Sequence, residues 1–306
     1  MDVSIIIVNY NTRDLLKNCL ISIYKHTTEI NFEVIVSDNG SVDGSIEMLK
    51  QEFPQVVLIE NNANLGFGTA NNRGLAVAKG KYIFYLNSDT ILLNNAVKLF
   101  YDYWENSPEK DSIGALGCNL LDGEGKQTHS FESFPSSKKI IKDTTFDFLR
   151  IVRLTLFFFL SESFSFTKQQ TLQKEKVPFY GKVDYIIGAD LFLRNNVYAQ
   201  FDEKYFLYYE DTDLQKKLEN QGFFRQIIAG PAIQHLEHKS NKFKKKIDFY
   251  SSTGKVHRFL SSIIFLRKYE KNHLVLFYLK LIISLCWLSP CLIKSTLKFI
   301  PKLWSL

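Results

Sequence analysis

Four cysteines, at Cys19, Cys118, Cys286 and Cys291, are too few and too scattered in 306 residues for a disulfide framework or a paired metal site. That usage suits a reducing cytoplasm, and the last two, set in an apolar tail, read as small hydrophobes. No basic segment leading into a long apolar core opens the chain, which starts at once with the strand-like Val3 to Val8, so no secretory signal is expected. The turn after that run, NYNTRD, has no glycine, whereas a dinucleotide-binding fingerprint needs glycines there for a pyrophosphate to approach the backbone. Gly66 and Gly68 come only after the third strand-like run, so a dehydrogenase-type reading and a glycine-loop nucleotidyltransferase both fall away. No clean run of about twenty apolar residues is present either. His273 to Ile293 comes nearest, but Lys280 lies inside it and Pro290 interrupts it.

What is present reads as a globular chain, 45% hydrophobic and 23% charged, long enough for one large domain or two. The formal charge is +6, and its placement matters more than its sum. Lysines crowd into Lys239 to Lys246 and Ser137 to Lys142, while acids gather at Glu210, Asp211 and Asp213. This pairing suits a phosphate-bearing ligand, a metal and an anionic membrane surface. It ranks nucleic acid behind them, since no nucleic-acid motif accompanies the lysines.

The first part alternates strand and helix. Strands are predicted at Val3 to Val8, Phe32 to Ser37, Val56 to Ile59 and Tyr82 to Leu86, with helices near Arg13 to Lys25, Asp43 to Gln51 and Gly68 to Ala78. This βαβ rhythm implies a mainly parallel sheet. Each strand stops at a polar cluster: Asn9-Tyr10-Asn11, Asp38-Asn39-Gly40-Ser41, Asn61-Asn62-Ala63-Asn64 and Asn87-Ser88-Asp89. Open α/β sheets place ligands beyond the carboxyl ends of their strands, so the four clusters should converge on one rim. Asn87 to Asp89 also reads as a plain turn before a helix near Asn94, and both readings stand at this point.

Beyond an apolar run at Asp111 to Leu121, Asp122-Gly123-Glu124-Gly125 predicts a hairpin turn. Residues 134–178 form an unusual segment holding LTLFFFL (Leu154 to Leu160) beside Arg150 and Arg153, which fits buried core and a membrane-interface patch equally. Val183 to Arg194 is strand-like on both sides of Gly188-Ala189-Asp190. A helix is predicted from Asp211, with Leu214 and Leu218 four apart and Gly222 as its stop, which puts three acids at a helix N-terminus. In the tail, 241–306, two membrane-lying or re-entrant helices are expected. The alternative is a tail packed on the catalytic domain or on a second subunit, as in a homodimer.

The stretches IIIVNYN, VSDNGSVDGS, NNANLGFGTANNRG, YLNSD, GADLFLR and FDEKYFLYYEDTDLQKKLENQGF, followed by His235, occur in the order seen in family 2 glycosyltransferases. Over about residues 3 to 240 the chain resembles the bacterial rhamnosyltransferase-like branch. The resemblance implies an α/β GT-A fold, a mainly parallel Rossmann-like sheet flanked by helices, with a C-terminal apolar helical tail. It places the catalytic domain at 1–240, with 134–178 as an acceptor- or membrane-facing insertion.

It also supplies roles. Asp211 is the general base, with Glu210 as the fallback, while Asp213 orients the helix or a cation. Asn87-Ser88-Asp89 takes the place of the metal-binding D-x-D motif. Because Asn87 replaces the first acid, Asp89 is the principal ligand for Mg²⁺ or Mn²⁺, with His235 completing the site. Without the resemblance, a lone histidine after a strand reads as structural. Asp38 reads a pyrimidine imide, and Asn9, Tyr10 and Asn11 frame the base, with Asn39 beside them. Asn64, Gly66 and Asn72 line the nucleotide and sugar, and Asp190 faces the sugar or acceptor. The implied reaction is inverting transfer from dTDP-rhamnose, or from a UDP-hexose, to a lipid-linked glycan. The implied place is the cytoplasmic face of a bacterial inner membrane, with the protein peripheral or monotopic. A rival is a catalytically silent protein of this fold serving as a membrane assembly partner, a reading that Asn87 favours.

Overall fold

The computed structural model describes residues 1–160, 177–236, 250, 252–290 and 292–306. The basic run Lys239 to Lys246, residues 161–176 of the unusual segment, and Cys291 lie outside the described residues. Contacts divide the chain into two compact units. The first comprises described residues 1–134, 177–206 and 210–236, and the second the remainder.

The first unit opens with β1 (Val3–Asn9), α1 (Arg13–His26), β2 (Phe32–Asp38), α2 (Ser45–Glu52), β3 (Val57–Glu60), α3 (Phe67–Leu75) and β4 (Tyr82–Leu86). Each predicted strand and helix is there, within a few residues of its expected ends. After β5 (Thr90–Leu92) come α4 (Ala96–Asn106), β6 (Ile113–Cys118) and β7 (Phe131–Glu132). The tight turn at Asp122 forms as expected, with Asp122 N–H donating to Lys126 O at 2.7 Å. The long helix α5 (Ser137–Leu160) belongs to the second unit, and the chain returns through β8 (Gly181–Val183), β9 (Tyr185–Ile186) and β10 (Asp190–Arg194) to α6 (Glu210–Asn220), β11 (Phe224–Ile228) and β12 (Ile233–His235).

Eight strands form the main sheet in the order β3-β2-β1-β4-β10-β6-β11-β8. Pairs β1–β2, β1–β4, β2–β3 and β6–β11 are parallel, whereas β10 runs antiparallel to both β4 and β6. Successive side chains of a strand point to opposite faces. Accordingly, Ile5, Ile7, Val34, Val36 and Phe84 pack with Leu16, Leu20, Phe100 and Trp104 in one core, while Ile6, Ile35, Ile83 and Tyr85 pack with Leu214 and Leu218 in another. Burial on both faces explains why these strands read as continuous apolar runs. Stacking of Phe192 on Phe100, with ring centroids 5.5 Å apart, fixes the antiparallel strand in the middle of the sheet.

The second unit holds α5 with α7 (Thr253–Tyr269), α8 (His273–Trp287), α9 (Ile293–Thr296) and α10 (Ile300–Ser305). Ser252 and Asn272 cap α7 and α8 by accepting from the backbone N–H of Lys255 and Val275. Helix α8 ends three residues before Pro290, as a residue without an N–H requires. Leu260, Ile263, Leu279, Ile283, Trp287 and Leu303 form this unit's core. The segment expected to be an acceptor- or membrane-facing insertion contributes its helix, through Ile140 and Ile151, to the core of this unit. Among the described residues no helix is long and apolar enough to cross a membrane.

Candidate active site

The polar clusters at the ends of β1, β2 and β3 form one hydrogen-bonded rim. Asn9, fully buried, donates to Asp38 Oδ2 at 2.7 Å and to Ser41 Oγ at 3.0 Å, and its Oδ1 accepts from Thr12 Oγ1 at 2.6 Å. Thr12 Oγ1 also lies 3.0 Å from Ser88 Oγ, which ties the first cluster to the fourth. Asn11 adopts a left-handed backbone, φ 54°, and its side chain receives the N–H of Val42 at 2.8 Å. Asn39 donates to Gly66 O at 3.1 Å and to Asn64 Oδ1 at 3.4 Å, while accepting from Asn61 at 3.1 Å. Gly66 has φ 88° and ψ 171°, a region open only to glycine, and a Cβ there would collide with the Phe206 carbonyl oxygen.

Three of the expected ligand-facing groups also hold the local backbone in place. Asp38 is fully buried, and its two oxygens accept from Ser41 N–H and Asn9, bonds that shape the 38–41 turn. Asn72 spends its amide on Phe201 N–H, Phe201 O and Glu203, at 2.9 to 3.0 Å. Asp190 is fully buried as well: its Oδ2 accepts the N–H of Cys118 at 2.7 Å, Oδ1 has no partner, and burial pushes its carboxyl up to about 7. Short polar side chains at strand ends serve turns as readily as ligands, and the sequence does not distinguish the two uses. Tyr10 is 48% exposed beside exposed Asn11, and Asn64 is exposed as well.

The stretch Gly188-Ala189-Asp190 links the remaining groups. Gly188 N–H donates to Asp211 Oδ2 at 2.9 Å, Ala189 O accepts Asn87 N–H at 3.1 Å, and Asp190 begins the strand whose register sets it opposite Leu86. A side chain at Gly188 would press on the Asp211 carboxyl, so the glycine keeps that approach open. Gln215, one turn into α6, receives Ile186 N–H and donates to Ile186 O, at 2.8 and 2.7 Å, locking the helix to β9. Sequence reasoning missed Gln215 and gave Gly188 no role. The small residue before Ala189-Asp190 was the available signal for the glycine.

The three acids at the start of α6 have distinct surroundings. Asp213, buried, accepts from Tyr205 Oη at 3.2 Å and pairs with Lys217 at 3.2 Å. Asp211 is half-buried: burial raises its pKa, opposed by the N–H bonds of Gly188 and Thr212. Glu210 is 5% exposed with Oε2 unpartnered, and burial, aided by the Asp211 charge, raises its pKa well above the usual carboxylate range. Just before them, Tyr208 and Tyr209 both hold positive φ, 66° and 69°.

A two-stranded ladder brings His235 to the fourth cluster. The antiparallel β5–β12 pairing sets His235 opposite Thr90, and Leu236 N–H donates to Asp89 O at 2.9 Å. His235 Nε2 consequently sits 3.1 Å from Asp89 Oδ1 and 3.5 Å from Asn87 Nδ2. An imidazole and a carboxylate side by side, with the buried Asn87 Oδ1 unpartnered, suit a divalent cation that takes its other ligands from a substrate. No group of three or more His, Cys, Asp or Glu residues placed to hold a metal occurs among the described residues.

Comparison with known proteins decides the family. The model for Glycosyl transferase family 2 matches residues 4–172, over half of the chain. The chain belongs to this family. It is therefore a glycosyltransferase, and the sheet just described is a GT-A fold. This family 2 glycosyltransferase is 28% identical over 251 residues to the N-acetylglucosaminyl-diphospho-decaprenol L-rhamnosyltransferase of Mycobacterium tuberculosis, covering 78% of this chain and 76% of the relative. It is 33% identical over 122 residues to the UDP-Glc:alpha-D-GlcNAc-diphosphoundecaprenol beta-1,3-glucosyltransferase WfaP of Escherichia coli, covering 36% and 48%. Among solved structures, the mannosyltransferase PcManGT from Pyrobaculum calidifontis, in complex with GDP-Man and Mn²⁺, superposes with a TM-score of 0.54 at 13% identity, over 98% of this chain and 75% of that one. GalNAc-T7, with UDP, GalNAc and Mn²⁺, gives 0.56 at 15% identity, over 85% and 47%. At such identities the likeness is one of fold.

Proposed function

We propose that this glycosyltransferase moves a sugar, rhamnose from dTDP-rhamnose in the first instance, to a hydroxyl of a lipid-linked glycan in bacterial surface polysaccharide synthesis, with inversion at the anomeric carbon. The seat of Asp211 on the Gly188 N–H, two residues from Asp190 and joined through Ala189 to Asn87, is the observation that carries the reading. The rhamnosyltransferase relative, named for a GlcNAc-diphosphate lipid, supports this donor and acceptor class. The partial likeness to a UDP-Glc-dependent enzyme supports a UDP-hexose donor as the alternative.

In this reading Asp211 accepts the proton of the acceptor hydroxyl as its oxygen attacks the anomeric carbon from the face opposite the diphosphate. The bond to the diphosphate oxygen breaks with its electron pair leaving on that oxygen, so one base suffices. The raised pKa of Asp211 improves it as a base. Asp89 and His235 would hold a divalent cation, Mg²⁺ or Mn²⁺, which would supply charge neutralisation for the leaving diphosphate. Tyr10 and Asn11 frame the base, Asp38 and Asn9 hold their turn in place, and Asn64 and Gly66 line the nucleotide. A lipid-linked acceptor, named in relatives, supports a reaction at the cytoplasmic face of the inner membrane, with the protein peripheral or monotopic. A silent membrane partner of the same fold is the second reading, favoured by Asn87 at the first position of the metal motif.

Nucleotide diphosphate release by the purified protein tests the proposal. A panel of dTDP and UDP sugars is offered with a polyprenyl-diphosphate GlcNAc acceptor and Mg²⁺, Mn²⁺ or EDTA. Release from one donor that EDTA abolishes is expected. Failure of every donor to bind, with or without metal, overturns it in favour of the silent partner.

A further inference from the structure

Helix α8 is apolar on two opposite faces. One face carries Leu276, Leu279, Ile283, Cys286 and Trp287 into the core of the second unit. The other presents Leu274, Phe277, Tyr278, Leu281, Leu285 and Leu288, from 38% to 83% exposed, on a stripe with helical spacing. Helix α5 lies beside it and runs parallel: Thr145 meets Tyr278 at 3.1 Å, and Thr155 meets Ser289 at 2.8 Å. The exposed Phe146, Leu149, Val152 and Leu156 give α5 a stripe of its own bordering that seam. Trp304 of α10 extends the α8 stripe, its ring 5.9 Å from Phe277 and its indole N–H donating to Ser284 at 3.0 Å. An exposed apolar face of this extent is rare on a surface that meets only water.

Charge selects what covers it. Residues 273–306 contain Lys280, Lys294, Lys298 and Lys302 and no aspartate or glutamate. Exposed Lys142, Arg150 and Arg153 flank the α5 stripe, against one exposed acid, Asp143, among the described side chains of that helix. A symmetric dimer through this face would bring two cationic surfaces together without an acid from α8 to α10 to neutralise them. At 15 residues α8 is about 22 Å long, short of the roughly 30 Å hydrocarbon layer. We infer that the paired stripes of α5 and α8 form a docking surface that lies in the headgroup region of an anionic lipid bilayer, with the leucines and Phe277 entering the acyl boundary and the lysines meeting lipid phosphate. The inference rests on the proposed membrane location but not on the transfer chemistry.

Flotation of the full chain with vesicles, without detergent, tests it. Binding to phosphatidylglycerol–phosphatidylcholine vesicles is expected, with little binding to phosphatidylcholine alone. The variant Phe277→Ser/Leu281→Ser/Leu285→Ser changes only exposed side chains and should lose about tenfold in the bound fraction, while Lys294→Gln/Lys298→Gln should lose the preference for anionic lipid. Circular dichroism, and donor binding in the same samples, establish that the variants fold and separate lipid docking from transfer. Equal flotation of wild type and triple variant overturns the inference. So does a wild-type dimer in sedimentation that the triple variant abolishes without any lipid binding.

Discussion

Glu210 and Asp211 are adjacent carboxyls with unequal solvation. Asp211 receives N–H bonds and keeps some exposure, whereas Glu210 is enclosed and lacks a partner for Oε2. A buried carboxyl with one oxygen unpartnered beside a like charge favours its protonated form, so the folded-state pKa lies above the unfolded value of about 4.5. Below that value both states hold the proton and burial costs little. As pH rises the unfolded chain ionises first, and the folded state loses stability until it ionises too. Glu210→Gln should therefore leave thermal stability nearly unchanged at pH 4 and raise the midpoint over wild type increasingly from pH 5 toward 8. A pH-independent difference in melting experiments would refute the buried neutral acid. The acids themselves were readable from sequence because they cluster after an aromatic run. Their different environments were not, since burial depends on Gly68 and Gly188, which approach them from elsewhere in the chain.

Strand ends and the ladders between them decide the site's composition. The βαβ half was legible because parallel strands buried on both faces leave continuous apolar runs, and helix ends carry polar stops. His235 reaches Asp89 only through the β5–β12 pairing, and β10 enters antiparallel between β4 and β6. Neither strand announces its partner locally, so the sequence alone left His235 resting on resemblance. Glycine geometry yields an element-scale prediction. Gly66 and Gly125 both hold positive φ, 88° and 79°, but only at Gly66 would a Cβ meet a carbonyl, that of Phe206. Gly66→Ala should cost about 1–3 kcal/mol from backbone strain, with the clash added. Gly125→Ala, with no atom near its Cβ, should cost less. Thermal denaturation of the two variants, with donor binding measured beside it, should show the larger loss in both at Gly66. Equal losses would mean that the Phe206 contact is unimportant.

On the scale of the whole molecule, the chain divides chemistry from apolar surface. Asp211, Asp89, His235 and the asparagine rim all lie in the unit built on the eight-stranded sheet, while the exposed apolar stripes lie in the helical unit. The sequence displayed both compositions, but not that α5 groups with the tail helices, because its contacts with α8 are made far apart in the chain. The central claim is that Asp211 is the base of a transfer reaction. Its most direct test compares wild type with Asp211→Asn for donor binding and for acceptor-dependent nucleotide diphosphate release. The amide keeps an oxygen for the Gly188 N–H, so donor affinity should hold within a few fold while turnover falls about 10²–10⁴-fold, the usual worth of a general base. Turnover retained in Asp211→Asn would contradict the assignment and move the base elsewhere in the site.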